Sequence, residues 1–191
     1  MKDYKKYKWF YTASGKLVVG GKSAEQNDEL LKRIIESDKE YYIMHTSHPG
    51  SPFCVVVENI KKITKKDLDE CAIFTGCFSK AWKQRKKVTE VHIFKSNQLS
   101  KQKGMKTGTW RVIGKVKRIQ VDLKLALVKQ KGVYRAVPEK SVRKKDILLI
   151  VCPGKVDKKD MVAKFVLELK DSKLQENELM AALPAGGIRI C

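Results

Sequence analysis

Between Lys8 and Arg33 the order of residue types leaves few options for the fold. Residues 9–12 and 17–19 form two short apolar runs on either side of an Ala13-Ser14-Gly15 turn, which predicts a β-hairpin. Gly20-Gly21 then breaks the strand. Ser23 and Gln26 follow at capping-box spacing, and Leu30, Leu31, Ile34 and Ile35 fall on one side of the helix they open. A hairpin and a helix that each carry one apolar side must bury those sides against each other. The chain therefore opens as an α+β unit.

The pattern continues in the same style. Residues 41–46 and 53–59 are β-rich runs around the turn Ser47-His48-Pro49-Gly50-Ser51-Pro52. Thr64 and Asp67 predict the start of a second helix, with Leu68, Cys71, Phe74, Phe78 and Trp82 recurring every three or four residues until it runs into the cations of residues 83–87. Residues 91–96 predict a strand, and residues 97–107 a lysine- and glycine-rich loop. Residues 109–123 alternate apolar and basic, as a sheet would with one face in the core and one toward a polyanion. A hairpin around residues 129–132 and a buried strand over residues 146–153 come next. A helix carrying Met161, Phe165, Val166 and Leu169 and a short helix over residues 175–183 complete the set. The expected fold is α+β, a mixed, mostly antiparallel sheet with helices packed on one face. Residues 1–122 form its core, and residues 123–191 a strand–helix extension packed on the same domain.

Charge points to the partner. Forty-one Lys and Arg against 21 Asp and Glu leave a net charge of +20, an excess that calls for RNA, DNA or another polyanion. The cations gather in residues 80–87, 95–106, 111–118 and 143–145, with Trp82 and Trp110 between them. Trp82 lies on the apolar stripe of its helix and reads as core rather than as a base-stacking surface. Lys80, Lys83, Arg85, Lys86, Lys101, Arg111, Lys115 and Arg118 are the candidates for phosphate neutralisation. His45, His48 and Ser51 are candidates for polar contacts from the turn. Gly20, Gly21 and Lys22, before a helix N-terminus, are candidates for an anion seat.

Other chemistries find less support. His45 and His48 show no third metal ligand and no nucleophile or carboxylate partner, because Asp67 and Asp69 read as helix-start residues; a hydrolase or nuclease built on them is the alternative. A DNA-binding architectural protein is a further alternative. Gly20-Gly21-Lys22-Ser23 lacks the P-loop spacing. Five cysteines without a CxxC give no zinc pattern; Cys54 and Cys152 read as buried reduced thiols, and Cys71 and Cys77 sit on different sides of one helix. No metal, cofactor or catalytic role is expected. No apolar run reaches the roughly 20 residues of a membrane span and no signal-peptide core opens the chain, so the expected setting is cytoplasmic.

Five ordered blocks resemble one family. Trp9-Phe10, Gly15, Gly20-Gly21, Ala24, Gln26-Asn27 and Lys32-Arg33 make the first, and His45 and Gly50 the second. Ser79-Lys80-Ala81-Trp82, Gln98-Leu99-Ser100-Lys101, and Gly108-Thr109-Trp110 with Val112 and Gly114-Lys115 make the rest. Over roughly residues 8–118 they are similar to the NFACT-R domain, the RNA-binding-type module of the RqcH/NEMF ribosome quality-control proteins. The closing Ala182-Leu183-Pro184-Ala185-Gly186-Gly187 is similar to an ending of larger members. The resemblance implies a stand-alone RNA-binding module that contacts tRNA or large-subunit rRNA in translation or ribosome quality control, with Arg33 among its nucleic-acid residues. It departs from the family at Ser47, where many members carry Asp, and at Ile113, where they carry Arg.

Overall fold

The computed structural model describes residues 1–169, 171 and 174–191. The opening hairpin pairs β1 (Lys8–Tyr11) with β2 (Leu17–Gly20), and α1 (Ala24–Ile35) follows, with the Ser23 side chain accepting from the Gln26 amide at 3.2 Å. Then come β3 (Tyr42–Thr46), β4 (Cys54–Val56), α2 (Lys65–Cys77), α3 (Lys80–Lys83) and β5 (Val88–Lys95). Two-residue strands β6 (Leu99–Ser100) and β7 (Arg111–Val112) pair with each other, ahead of β8 (Lys117–Asp122). The C-terminal part holds β9 (Leu125–Gln130), β10 (Val133–Val137), β11 (Leu149–Val156), α4 (Lys158–Leu169), α5 (Glu176–Ala182) and β12 (Ile188–Ile190).

The α+β reading stands, with a refinement in the layering. The strands form a six-stranded sheet ordered β1-β2-β4-β3-β5-β8 and a four-stranded sheet ordered β10-β9-β11-β12, antiparallel at every pairing. Strand alternation sends side chains to both faces of the first sheet. Val19, Ile43, Val55 and Phe94 meet Leu30, Leu31 and Ile34 of α1 on one face. Val18, Met44, Cys54, Val56, Val91 and Ile93 meet Cys71, Ala72 and Phe74 of α2 on the other. That second cluster also takes in Ala126, Val128 and Val137 of the second sheet, so α2 lies between the two sheets. Leu125, Leu127 and Ala136 on the far side meet Met161, Phe165 and Leu179 of α4 and α5. The order is helix, sheet, helix, sheet, helices. The chain crosses from the first sheet to the second between Asp122 and Leu125.

Burial on two sides settles several details. Cys71 and Cys77 face different ways on α2, yet both are fully buried: Cys71 joins the cluster between the sheets, and Cys77, at the helix end, joins the one that holds Trp82 and Leu125. Gly76 costs helix propensity but is needed for contact: a Cβ there would stand 2.8 Å from Val121 Cγ2 and 2.9 Å from Thr89 Cγ2. At the start of α2 the Thr64–Asp67 capping box forms as read. Buried Asp67 also accepts from the Thr12 hydroxyl at 2.6 Å and the Ser14 hydroxyl at 2.5 Å, which ties the opening hairpin turn to α2. Burial pushes this carboxyl up, but those hydrogen bonds outweigh it and hold it below the usual range.

Four expectations need correction. The helix foreseen through Trp82 ends at Cys77; Phe78 leaves helical geometry, and Ser79 caps the separate α3 by accepting from the Ala81 amide at 3.1 Å. The alternating run of residues 109–123 is two strands, interrupted where Gly114 adopts a positive φ of 83°. Ile35 is 41% exposed, one step beyond the apolar face of α1. Cys152 is bonded to Cys191, because a terminal strand the sequence reading lacked, β12, pairs along β11 and brings the last residue back beside it. Cys54, Cys71 and Cys77 remain buried free thiols.

Replacing Gly76 with Ala sets a gain in helix propensity of up to ~1 kcal/mol against overpacking of about 1–3 kcal/mol onto two stiff β-branched side chains. Overpacking is expected to win. A melting temperature of Gly76→Ala at or above that of the parent would show that α2 does not sit tightly on β5 and β8.

Candidate nucleic-acid interface

One end of the six-stranded sheet gathers most of the suspected residues. Here β2 ends at Gly20, β3 ends at Thr46, and β4 and β5 begin. Gly20–Gly21 turns the chain into α1 so closely that a Cβ on Gly21 would lie 2.3 Å from Asn27 Oδ1. Buried Asn27 uses that oxygen to accept from the Phe53 amide at 3.1 Å, locking the start of α1 to the β3–β4 turn. Between them opens a cleft of about 530 Å³, lined by Lys8 and Lys22, by the turn around His45, Ser47 and Gly50, and by Thr109 and Trp110. Three motifs separated in sequence converge on it.

His45 and His92 line the floor, within a row of side chains that runs on across a third strand outside the lining. His45 pairs with His92, and His92 with Arg118, so the three share one face of β3, β5 and β8. It is the face that carries Ile43 and Phe94 beneath α1, continued past the end of the helix. His45 stacks on Phe53 with ring centroids 4.3 Å apart, and its Nδ1 lies 2.7 Å from the Thr46 carbonyl. A carbonyl only accepts, so Nδ1 carries the proton and donates. Burial holds His45 below the ordinary histidine range, and it is neutral at pH 7. His92 Nε2 sits 3.0 Å from Glu90 Oε1.

The far lip is held by one carboxylate. Asp28 on α1 accepts from Lys101 Nζ at 2.7 Å, the Trp110 indole N–H at 2.8 Å and the Gly108 amide at 3.0 Å. Burial pushes its carboxyl up, but the bonds from Lys101, Trp110 and Gly108 bring it below the usual range. Gly108, at φ +76°, leaves no room for a side chain, since a Cβ would stand 2.7 Å from Ala24 Cβ. The loop carrying Trp110 is thereby pinned against the first turn of α1.

The remaining candidates divide by placement. Lys22 is exposed at the cleft. Lys80 is exposed on its rim, donating its amide to the Gly50 carbonyl at 2.9 Å, with its methylenes packed where Gly50 lacks a side chain. Lys83, the last residue of α3, is exposed, as are Arg85 and Lys86 just beyond it. Arg111, Lys115 and Arg118 are exposed along β7, the next turn and the edge strand β8. None of these eight cations forms an ion pair among the described residues. Two others are committed elsewhere: Lys101 to Asp28 at 2.7 Å, and Arg33 to Asp3 at 2.8 Å, outside the cleft lining. Ser51 is buried and closes its own turn, accepting from the Thr46 amide at 3.0 Å. His48 is exposed outside the lining, beside the Ser47 hydroxyl at 3.1 Å. Arg143 bonds Asp146 at 2.8 Å, so residues 143–145 add less free charge than their sequence implies. Trp82 is core, its indole N–H donating to the Gly187 carbonyl at 3.1 Å.

Comparison with known proteins names this arrangement. Residues 6–114 match the family described as the NFACT protein RNA binding domain. This chain belongs to that family. The archaeal Rqc2 homolog aRqcH of Methanocaldococcus jannaschii is 27% identical over 99% of the chain, and the ribosome quality control complex subunit NEMF of Mus musculus is 25% identical over 95% of it. The chain spans 29% and 18% of those two relatives. A solved structure of the C-terminal part of a fibronectin/fibrinogen-binding protein from Streptococcus suis shares the fold. It has a TM-score of 0.54 and 22% identity, over 61% of this chain and 45% of that one.

Sequence reasoning missed several cleft residues in this NFACT RNA-binding domain. His92 was legible only as part of a strand; its two-residue spacing from Glu90 and Phe94 was the signal of a shared face. Lys8 reads as a flank of the hairpin, and Phe53 as core. Asn27 carried no sign that its side chain would bridge to β4.

Removing the Asp28 carboxylate strands Lys101, the Trp110 indole and the Gly108 amide together. Asp28→Ala is expected to cost about 1–3 kcal/mol and to speed amide exchange in residues 106–112; unchanged exchange at Gly108 would show that the lip does not depend on it. His45 gives a test in pH. Its folded-state affinity for a proton is depressed, so below about pH 6.5 the unfolded chain takes up the proton first and stability falls with pH. His45→Gln should flatten that part of the stability profile, and a parallel profile would contradict a buried neutral His45.

Proposed function

We propose that this domain binds structured RNA, tRNA or large-subunit rRNA, without catalysing a reaction, and that it acts in translation or ribosome quality control in the cytoplasm. The observation that carries this reading is the cleft at the sheet end, where an aromatic and histidine floor lies beside unpaired cations on α3, β7 and β8. Phosphates release counterions when Lys and Arg approach them, and flat side chains offer a surface to an unstacked base. Its membership of the NFACT RNA-binding family supports the same ligand, and the names of its relatives support the setting.

The alternative nuclease on His45 and His48 is disfavoured by their separation in role. His45 Nδ1 is committed to a carbonyl, and His48 points into solvent outside the cleft. The His92–Glu90 pair is the better candidate base, at 3.0 Å, and gives that reading its fairest test. RNA incubated with the protein and a divalent metal is expected to remain intact; cleavage abolished by His92→Ala would replace the binding reading with a catalytic one.

The binding reading has a quantitative test in salt. With six or more phosphates engaged, affinity for tRNA is expected to fall ~10³-fold or more between ~50 and ~200 mM salt. A flat response would exclude a phosphate-dominated interface. Competition at matched salt should favour tRNA over duplex DNA, since A-form shape and 2′-hydroxyls distinguish RNA; equal competition would favour the DNA-binding architectural reading.

A further inference from the structure

Several acidic side chains are paired with cations, as Asp28 with Lys101, Glu58 with Lys16 and Glu40 with Lys95. One partly buried cation cluster is left without such a partner. Lys8 on β1 extends its ammonium over the Phe78 ring, 4.7 Å from the centroid. Arg135 on β10 lays its guanidinium over Trp9, 4.3 Å from the ring centroid, and its Nε is buried with no hydrogen-bond partner. Lys8, Lys22, Trp9, Phe78 and Arg135 line one hollow of only about 10 Å³, room for a single water, and Lys8, Lys22 and Phe78 also line the main cleft of about 530 Å³. Behind them, Lys158 donates to the carbonyls of Met180 and Leu183 at the end of α5. Among the described residues, none of these four cations makes an ion pair.

The four feel one another. Burial pushes Lys8 down, and Lys22 and Arg135 push it further; burial and then Arg135 do the same to Lys22. Burial, followed by the charge on Lys8, brings Lys158 to about 8. Glu178 is the acidic group that acts on Arg135, but its carboxylate accepts from the Tyr134 amide at 2.6 Å and does not pair with the guanidinium. Lys8, Arg135 and Lys158 are partly drawn out of water without a counter-charge, which is unfavourable, and exposed Lys22 adds to the repulsion. A bound anion removes that penalty.

We propose that Lys8 and Lys22, backed by Arg135 and Lys158, form a seat for a single phosphate group in the main cleft, beside the seam between the two sheets. Two ammoniums at the cleft wall, with a partly buried guanidinium behind them, suit a tetrahedral oxyanion with several acceptor oxygens. The first turn of α1, a 12-residue helix beginning beside Lys22, adds its positive end to the same region. The seat differs from the rest of the cleft because Arg135 and Lys158 behind it lie outside residues 6–114, the segment that matches the family. It rests on the RNA-binding reading only for the source of the phosphate: a backbone phosphate of the strand in the cleft, as against a free phosphate.

Two measurements on the whole chain separate these sources. Inorganic phosphate, titrated against chloride at matched ionic strength, should raise the melting temperature saturably, and Arg135→Gln and Lys22→Gln should each abolish the rise. Lys22 is exposed, so its replacement leaves packing intact. The same two variants should weaken tRNA binding about tenfold and reduce the slope of log affinity against log salt by about one. An equal phosphate response in parent and variants overturns the seat. A phosphate response lost in the variants, with tRNA affinity and slope unchanged, overturns the RNA source. If the parent binds no RNA yet shows the Arg135-dependent phosphate response, the seat stands for free phosphate and the RNA-binding reading is what fails.

Discussion

Helix α2 is enclosed by two sheets, and this placement governs how the rest of the chain can be arranged. A helix between two layers has no solvent face along much of its length, and the run from Cys71 to Cys77 correspondingly carries no charged residue. Phe74 supplies bulk toward the first sheet, where its ring centroid lies 4.7 Å from that of Phe10. Gly76 supplies the closeness that lets β5 and β8 approach the helix backbone. The polar ends carry the positioning: Asp67 holds the hairpin turn by two hydroxyls, and Glu70 accepts from the Ala13 amide at 2.9 Å. Hairpin, helix and both sheets are thus fixed through a single element.

That fixity leaves the opposite face of the first sheet open beyond α1, where the proposed RNA contact lies. α1 covers only part of it, and His45, His92 and Arg118 continue the strand rows into the open. The cleft walls are then tied down by side-chain bonds to backbone: Asn27 to the Phe53 amide and Asp28 to the Gly108 amide. Buried polar groups used this way are worth most when every one is satisfied, because the low dielectric penalises any that is not. Rigid walls suit a ligand whose own charge is large and whose shape is regular, since little ordering is left to be done on binding.

How much of this could be read from the residues depended on whether the signal was local. The hairpin, the Gly-Gly turn and the caps at Ser23 and Thr64 are set by neighbours within a few positions, and they appear where their residues predict. Trp82 was legible as core from its spacing, although the helix carrying it breaks at Phe78, where a hydroxyl at Ser79 offers the backbone an alternative cap. Long-range features were not legible. Nothing near Cys152 announces that β12 will return to it, and nothing near Lys101 or Arg33 shows that Asp28 and Asp3 will claim them. The clustering of charge in sequence therefore overstated the available cations in two segments and missed Lys8 and Arg135, which are far apart in sequence and become neighbours only when the sheets meet.

Those two residues show how the chain distributes its excess charge. A net charge of +20 acts against a compact state everywhere, and exposed lysines limit that cost by standing in water and salt. Lys8 and Arg135 forgo such screening; they rest on Phe78 and Trp9, whose ring faces attract cations but do not neutralise them. A packed interior that only needed to be stable would use apolar side chains there. Cations kept at a seam, facing a cleft and lacking an acid, store an electrostatic penalty that an incoming phosphate relieves, and the relief becomes part of the affinity for the ligand.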